Sequence, residues 1–133
     1  MKGVILHPAD LPVKDRGGGI RTIPLVTSGI GSRSMLNGIT TLDPGAAVPL
    51  HTHNCEESVI VLSGHARAYI DGVETDLEAR DTTWIPAEVP HFFRNTSDTE
   101  PMSILWTYAS IDATRTIVAT GVTTRIDEEH QPG

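Results

Sequence analysis

The chain has 133 residues, with 17 acidic and 10 basic side chains and a formal net charge of −7. That length supports one domain with its own core. The acidic balance repels a phosphate backbone, which argues against nucleic acid as a partner, while leaving the sign inside a pocket open. No apolar run approaches the roughly 20 residues of a membrane span, so no membrane partner is expected.

At the N-terminus, MKGVILHPADLP holds a short apolar stretch interrupted by Pro8 and Pro12. It lacks the unbroken apolar region of a secretory signal. The single cysteine, Cys55, excludes an intramolecular disulfide and fits a reducing compartment, so a cytoplasmic protein is the expectation. Gly17, Gly18 and Gly19 read as a loop between an N-terminal arm and the main domain.

The middle of the chain reads as strands. SVIVLS, HARAYI, VETDL, TTWIP and MSILWTY are short and rich in β-branched and aromatic residues. Asp71-Gly72 separates two of them and signals a two-residue hairpin, because a type I′ turn needs positive φ at both central positions. Pro44-Gly45, Pro86 and Pro90 punctuate the rest, and residues 35 to 110 show no long helical periodicity. The pattern predicts an all-β sandwich or barrel. Residues 1–34 form an arm and edge strands, 35–112 the barrel core, and 113–133 a C-terminal strand or tail. The polar end IDEEHQPG is expected to fray.

Alternation from Glu57 to Leu62 puts Glu57, Val59 and Val61 on one face and Ser58, Ile60 and Leu62 on the other. Both faces are largely apolar, so the outward one calls for a cover. A homodimer supplies it, and the N-terminal arm is the alternative.

Three metal-competent side chains sit close together at His51, His53 and Glu57. On an extended strand the two histidines point the same way. A turn through Asn54, Cys55 and Glu56 could return Glu57 from the next strand, and His91 could complete the set from a distant segment. Imidazole nitrogens with one carboxylate oxygen suit Fe, Mn, Ni, Cu or Zn and are too nitrogen-rich for Ca or Mg. Taken alone, an HxH pair in a strand is as compatible with ordinary packing as with a metal.

The stretch Gly45-AAVPL-His51-Thr-His53-NCE-Glu57-SVIVLS-Gly64 resembles the first motif of the cupin superfamily. Pro86, His91 and Asn95 resemble the second. Arg80 and Glu88 stand where glycines are common in that second motif, and those glycines serve turns. The resemblance implies a jelly-roll β-barrel (a double-stranded β-helix), often dimeric. It implies one divalent transition metal per chain, held by His51, His53, Glu57 and His91. The motif's spacing favours Glu57 over its neighbour Glu56, and Glu57 shares a face with Val59 and Val61. Asn95 is expected to fix the loop after His91. Cys55 is expected to be a small buried side chain beside the site, and His7, His65 and His130 to be structural or solvated.

A barrel with one open mouth suits a small molecule. Val59, Val61 and Phe93 are candidate substrate-pocket residues, with Trp106, Trp84 and Tyr108 as further wall candidates. Arg67 and Arg94 read as solvated charges. Small single-domain cupins of this look include dioxygenases, isomerases, decarboxylases, lyases and polyketide cyclases. An enzyme at a single metal is therefore expected, with Glu57 as a possible proton shuttle. The alternative is a ligand-binding or sensing protein without turnover.

Overall fold

The segments singled out as strands pair into two facing sheets in the computed structural model, which describes residues 2–129. The strands are β1 (Lys14–Gly17), β2 (Ile20–Pro24), β3 (Leu36–Leu42), β4 (His51–His53), β5 (Glu57–Ser63), β6 (His65–Ile70), β7 (Val73–Glu78), β8 (Thr82–Ile85), β9 (His91–Asn95), β10 (Met102–Tyr108), β11 (Thr114–Ile117) and β12 (Thr123–Arg125). A single helical turn, α1 (Ile126–Glu129), follows. One six-stranded sheet has the order β1-β2-β3-β10-β5-β8, and the other β12-β11-β4-β9-β6-β7. All pairings are antiparallel. The architecture is the jelly-roll barrel of the sequence reading. Among the described residues, no helix is long and apolar enough to cross a membrane.

Burial alternates along the central strands, as a half-buried pleat requires. Leu36 and Leu42 of β3, Val59 and Val61 of β5, and Met102, Ile104, Trp106 and Tyr108 of β10 face inward. Ala66, Ala68 and Phe93 meet them from the second sheet. Gly38 is where Trp106 crosses β3: a Cβ there would lie 2.5 Å from Cζ2 of the indole. The indole Nε1 then reaches inward to donate to Thr40 Oγ1 at 2.8 Å.

Turns follow the residues that allow them. Asp71 and Gly72 have φ of 49° and 79°, the hairpin geometry expected between β6 and β7. Gly64 has φ of 76°, and a Cβ on it would come within 2.6 Å of the Pro101 carbonyl oxygen. Asn95 holds the segment after β9, donating from Nδ2 to the carbonyls of Leu42 and Glu100 at 3.0 and 2.8 Å.

Three local expectations change. Gly17–Gly19 is the tight connection of the β1–β2 hairpin, which extends the first sheet by pairing with β3. It is not a loop that separates an arm from the barrel. The strands β4 and β5 lie in opposite sheets, so the Asn54–Glu56 turn crosses the barrel instead of closing a hairpin. The start of the C-terminal segment is ordered as well. Ile126 is fully buried, because its amide donates to Ala113 O and its side chain enters the core. His130 lies outside the described residues.

Candidate metal centre

The short strand β4 turns His51 and His53 inward and Thr52 outward. On the neighbouring strand, His91 is the cross-strand partner of His51. Ring centroids of the three histidines are 4.3 to 5.0 Å apart. One ligand atom from each lies within 4.8 Å of the others, and all three side chains are buried. Glu57 enters from the opposite sheet. Its Oε1 is 2.9 Å from His91 Nε2 and 3.4 Å from His53 Nε2. Glu56 points away, exposed, and accepts the Trp84 indole N–H at 2.8 Å.

Each imidazole is tied by its Nδ1 to a backbone carbonyl. His51 Nδ1 lies 2.6 Å from Pro49 O, His53 Nδ1 2.9 Å from Thr114 O, and His91 Nδ1 2.9 Å from Val89 O. A carbonyl can only accept, so each Nδ1 carries hydrogen, and in a neutral ring the lone pair is then on Nε2. Three such nitrogens converge with a carboxylate, all on buried side chains. His53 Nε2 is buried with no hydrogen-bond partner. Acceptors facing one another repel unless a positive charge sits between them. A proton can fill that role for the Glu57–His91 pair, and a divalent cation can fill it for all four groups. The backbone carbonyls that fix the tautomers are also the supports that metal-binding histidines require. The donor set therefore fits a transition metal.

The electrostatics agree. Burial, then the Arg115 guanidinium and the two neighbouring imidazoles, push the His51 pKa down to about 2, so His51 is neutral and keeps its lone pair. Burial raises the Glu57 carboxyl, but its contacts with His53 and His91 outweigh burial and hold the group well below the usual carboxylate range. Glu57 is thus an anion in the barrel's interior.

A cavity of about 300 Å³ opens onto His51, Glu57 and His91. Val59, Phe93 and Trp106 line it, together with Ile104 and Tyr108. Val61 is buried in the core and is not on the cavity wall. Trp84 is not a wall residue: it is 65% exposed, because its partner Ser58 belongs to the outward parity of β5. Arg67 pairs with Asp76 on the surface, and Arg94 is exposed. Cys55 is half-buried, and burial pushes its thiol pKa up. His7 and His65 are exposed.

The sequence reading missed the far end of the cavity, where Arg16, Arg115 and Glu129 gather. They come from β1, β11 and α1, and each alone looks like a solvated charge. The one signal available is the parity of Arg115, which pairs with His53 across β4 and β11.

Residues 38–108 match the family model of the cupin domain, which is more than half of the chain. The chain therefore belongs to the cupin family. The polyketide synthase CurC of Streptomyces cyaneus is 34% identical over 90 residues, which cover 67% of this chain and 58% of that protein. SchB of Streptomyces halstedii is also 34% identical over 90 residues, 67% of this chain and 64% of that protein. The chain thus matches less than two thirds of either relative. The polyketide cyclase RemF of Streptomyces resistomycificus superposes with a TM-score of 0.75 at 16% identity, covering 94% of this chain and 86% of that one. At that identity the likeness shows the shared fold.

Proposed function

We propose that the chain is a metal-dependent enzyme acting on a small organic molecule, with chemistry of the polyketide-cyclase type. The observation that carries this reading is the convergence of His51, His53, His91 and Glu57, with His51, His91 and Glu57 on one wall of a largely apolar cavity. Those four residues hold one Fe, Mn, Ni, Cu or Zn ion. The polyketide connection of CurC and RemF favours cyclisation over the other reactions open to a cupin barrel, which fold alone does not decide.

A bound metal supplies Lewis-acid activation of a carbonyl or enolate oxygen. The protein's own part is to position and to exclude water. Val59, Phe93 and Trp106 give a poly-ketone an apolar wall that favours a folded chain over an extended one. Glu57 is the anion placed to hold a proton removed from carbon and to return it to oxygen. Metal-loaded protein incubated with linear and aromatic 1,3-diketones is expected to give ring-closed products by mass spectrometry, with loss of activity after chelation. Oxygen uptake without ring closure would instead make the chain a dioxygenase. Tight ligand binding without any turnover would make it a sensor.

The outer face of the first sheet supports a homodimer. Ile23, Ile39, Leu105 and Ile60 are consecutive cross-strand partners on β2, β3, β10 and β5. They form an apolar row across the sheet, all only half-buried. Leu62 extends it, and Trp84 stands exposed on the neighbouring edge strand β8. Contiguous apolar surface of this kind marks a contact site, and a second copy packing the same face supplies a symmetric partner.

A further inference from the structure

The cavity has a second polar end, opposite in character to the histidine wall. Arg16 Nη2 and Arg115 Nη1 both donate to the same oxygen, Oε2 of Glu129, each at 3.0 Å. The other oxygen, Oε1, accepts from the Thr124 hydroxyl at 2.7 Å. Arg16, Thr124, Glu129 and Arg115 all line the same cavity as His51, Glu57 and His91. Two guanidinium groups thus share the one carboxylate at this end of the cavity, and the next anion acting on Arg115 is Glu57 at the histidine wall. Arg115 is 14% exposed at its side chain, and its Nε is buried with no hydrogen-bond acceptor. A largely desolvated cation with an unmet donor is costly unless an anion joins it. A cationic pocket end is also unexpected in a chain of net charge −7.

We infer that Arg16 and Arg115 form a subsite for an ionised oxygen of the substrate, a carboxylate or an acidic enolate, and that Glu129 occupies it as an internal stand-in. This deepens the proposed function, and rests on that reading only for the identity of the ligand as a substrate. Guanidinium forks suit a planar, delocalised oxyanion. Glu129 ends a single helical turn whose Ile126 is anchored in the core, so its side chain can swing out while the turn stays docked. Arg115 faces His53 across the β-ladder, and directly paired residues have Cβ atoms roughly 5 Å apart. The Tyr108 phenol bridges the two ends. Its ring is 4.6 Å from that of His53, and its hydroxyl interacts electrostatically with the Arg115 guanidinium. A bound molecule therefore has its ionised oxygen fixed at the arginines while another oxygen faces the histidine wall.

Calorimetric titration of the full chain with benzoate, and separately with acetylacetone at alkaline pH, tests this. Both are run on protein as purified and after chelation. The chelated protein is expected to bind at least one of the two probes, and which one binds identifies the carboxylate or the enolate as the preferred anion. Glu129→Gln is expected to tighten binding about tenfold by removing the competitor, and Arg16→Gln to weaken it about tenfold. Arg115→Gln should weaken it further, with thermal melting as the control for folding. Unchanged or weaker binding in Glu129→Gln, or binding lost altogether on chelation, would overturn the subsite. Failure of the metal-enzyme reading would show differently, as absent metal or absent turnover with the anion affinities still ordered in this way.

Discussion

At the scale of single residues, the histidines are defined by what their other nitrogen does. Pro49, Thr114 and Val89 present carbonyls that fix the proton on Nδ1, so the ring cannot rotate or change tautomer without losing a buried hydrogen bond. Replacing His53 by Gln, whose amide can still bond but which offers no imidazole, is expected to lower metal affinity by about a hundredfold or more, measured by competition with a chromophoric chelator. Acid acts in the same direction. The unfolded chain protonates His51 near its ordinary value of 6.5, whereas the folded chain resists until about 2. Unfolding therefore takes up a proton in that interval, and stability falls as pH is lowered through it. The slope from this one group reaches about 1.4 kcal/mol per pH unit. Chelator-treated protein should accordingly melt lower at pH 5 than at pH 7.5, and a His51→Ala variant should lose much of that difference. The convergence of His51, His53, Glu57 and His91 was legible because two-residue parity, a carboxylate of matching parity and a Gly-Pro-Asn framework coincide between Gly45 and Asn95. Arg16, Arg115 and Glu129 were not, since Arg16 meets the other two only through the fold, 113 residues from Glu129.

Whole elements explain why two departures from the glycine pattern are tolerated. Arg80 and Glu88 have φ of 80° and 66°, so the turns keep their left-handed shape although neither residue is glycine. The turns are held by backbone bonds: Arg80 N donates to Val61 O, and Glu88 N to His53 O, both at 2.8 Å. The left-handed conformation costs an L-residue roughly 1–2 kcal/mol, part of which glycine would return as lost chain entropy. Arg80→Gly and Glu88→Gly are each expected to stabilise the fold by roughly 0.5–1 kcal/mol, read from the midpoint of urea unfolding. Gly64→Ala should do the reverse, because it meets both the positive φ and the Pro101 carbonyl. A loss of about 2 kcal/mol or more is expected. The strands themselves were readable from β-branched runs and turn residues. The sheet each strand joins was not, because β4 and β5 are separated by only three residues yet lie in different sheets, and no local pattern encodes that crossing.

The whole molecule is a barrel whose inner and outer faces serve different ends. Inside, one sheet supplies three histidines and the other a carboxylate, so the centre exists only when both sheets are closed on each other. Outside, the Ile23–Ile39–Leu105–Ile60 row awaits a partner, and Leu105→Glu is expected to convert a dimer to a monomer in sedimentation without loss of fold. A wild-type chain that sediments as a monomer would contradict that proposal and leave the interior untouched. The claim on which the functional reading stands is the metal centre itself, and elemental analysis of protein purified without added metal tests it most directly. About one Fe, Mn, Ni, Cu or Zn ion per chain is expected, falling to a small fraction in His51→Ala. Wild-type protein with well under one metal ion per chain, unchanged in His51→Ala, would contradict it.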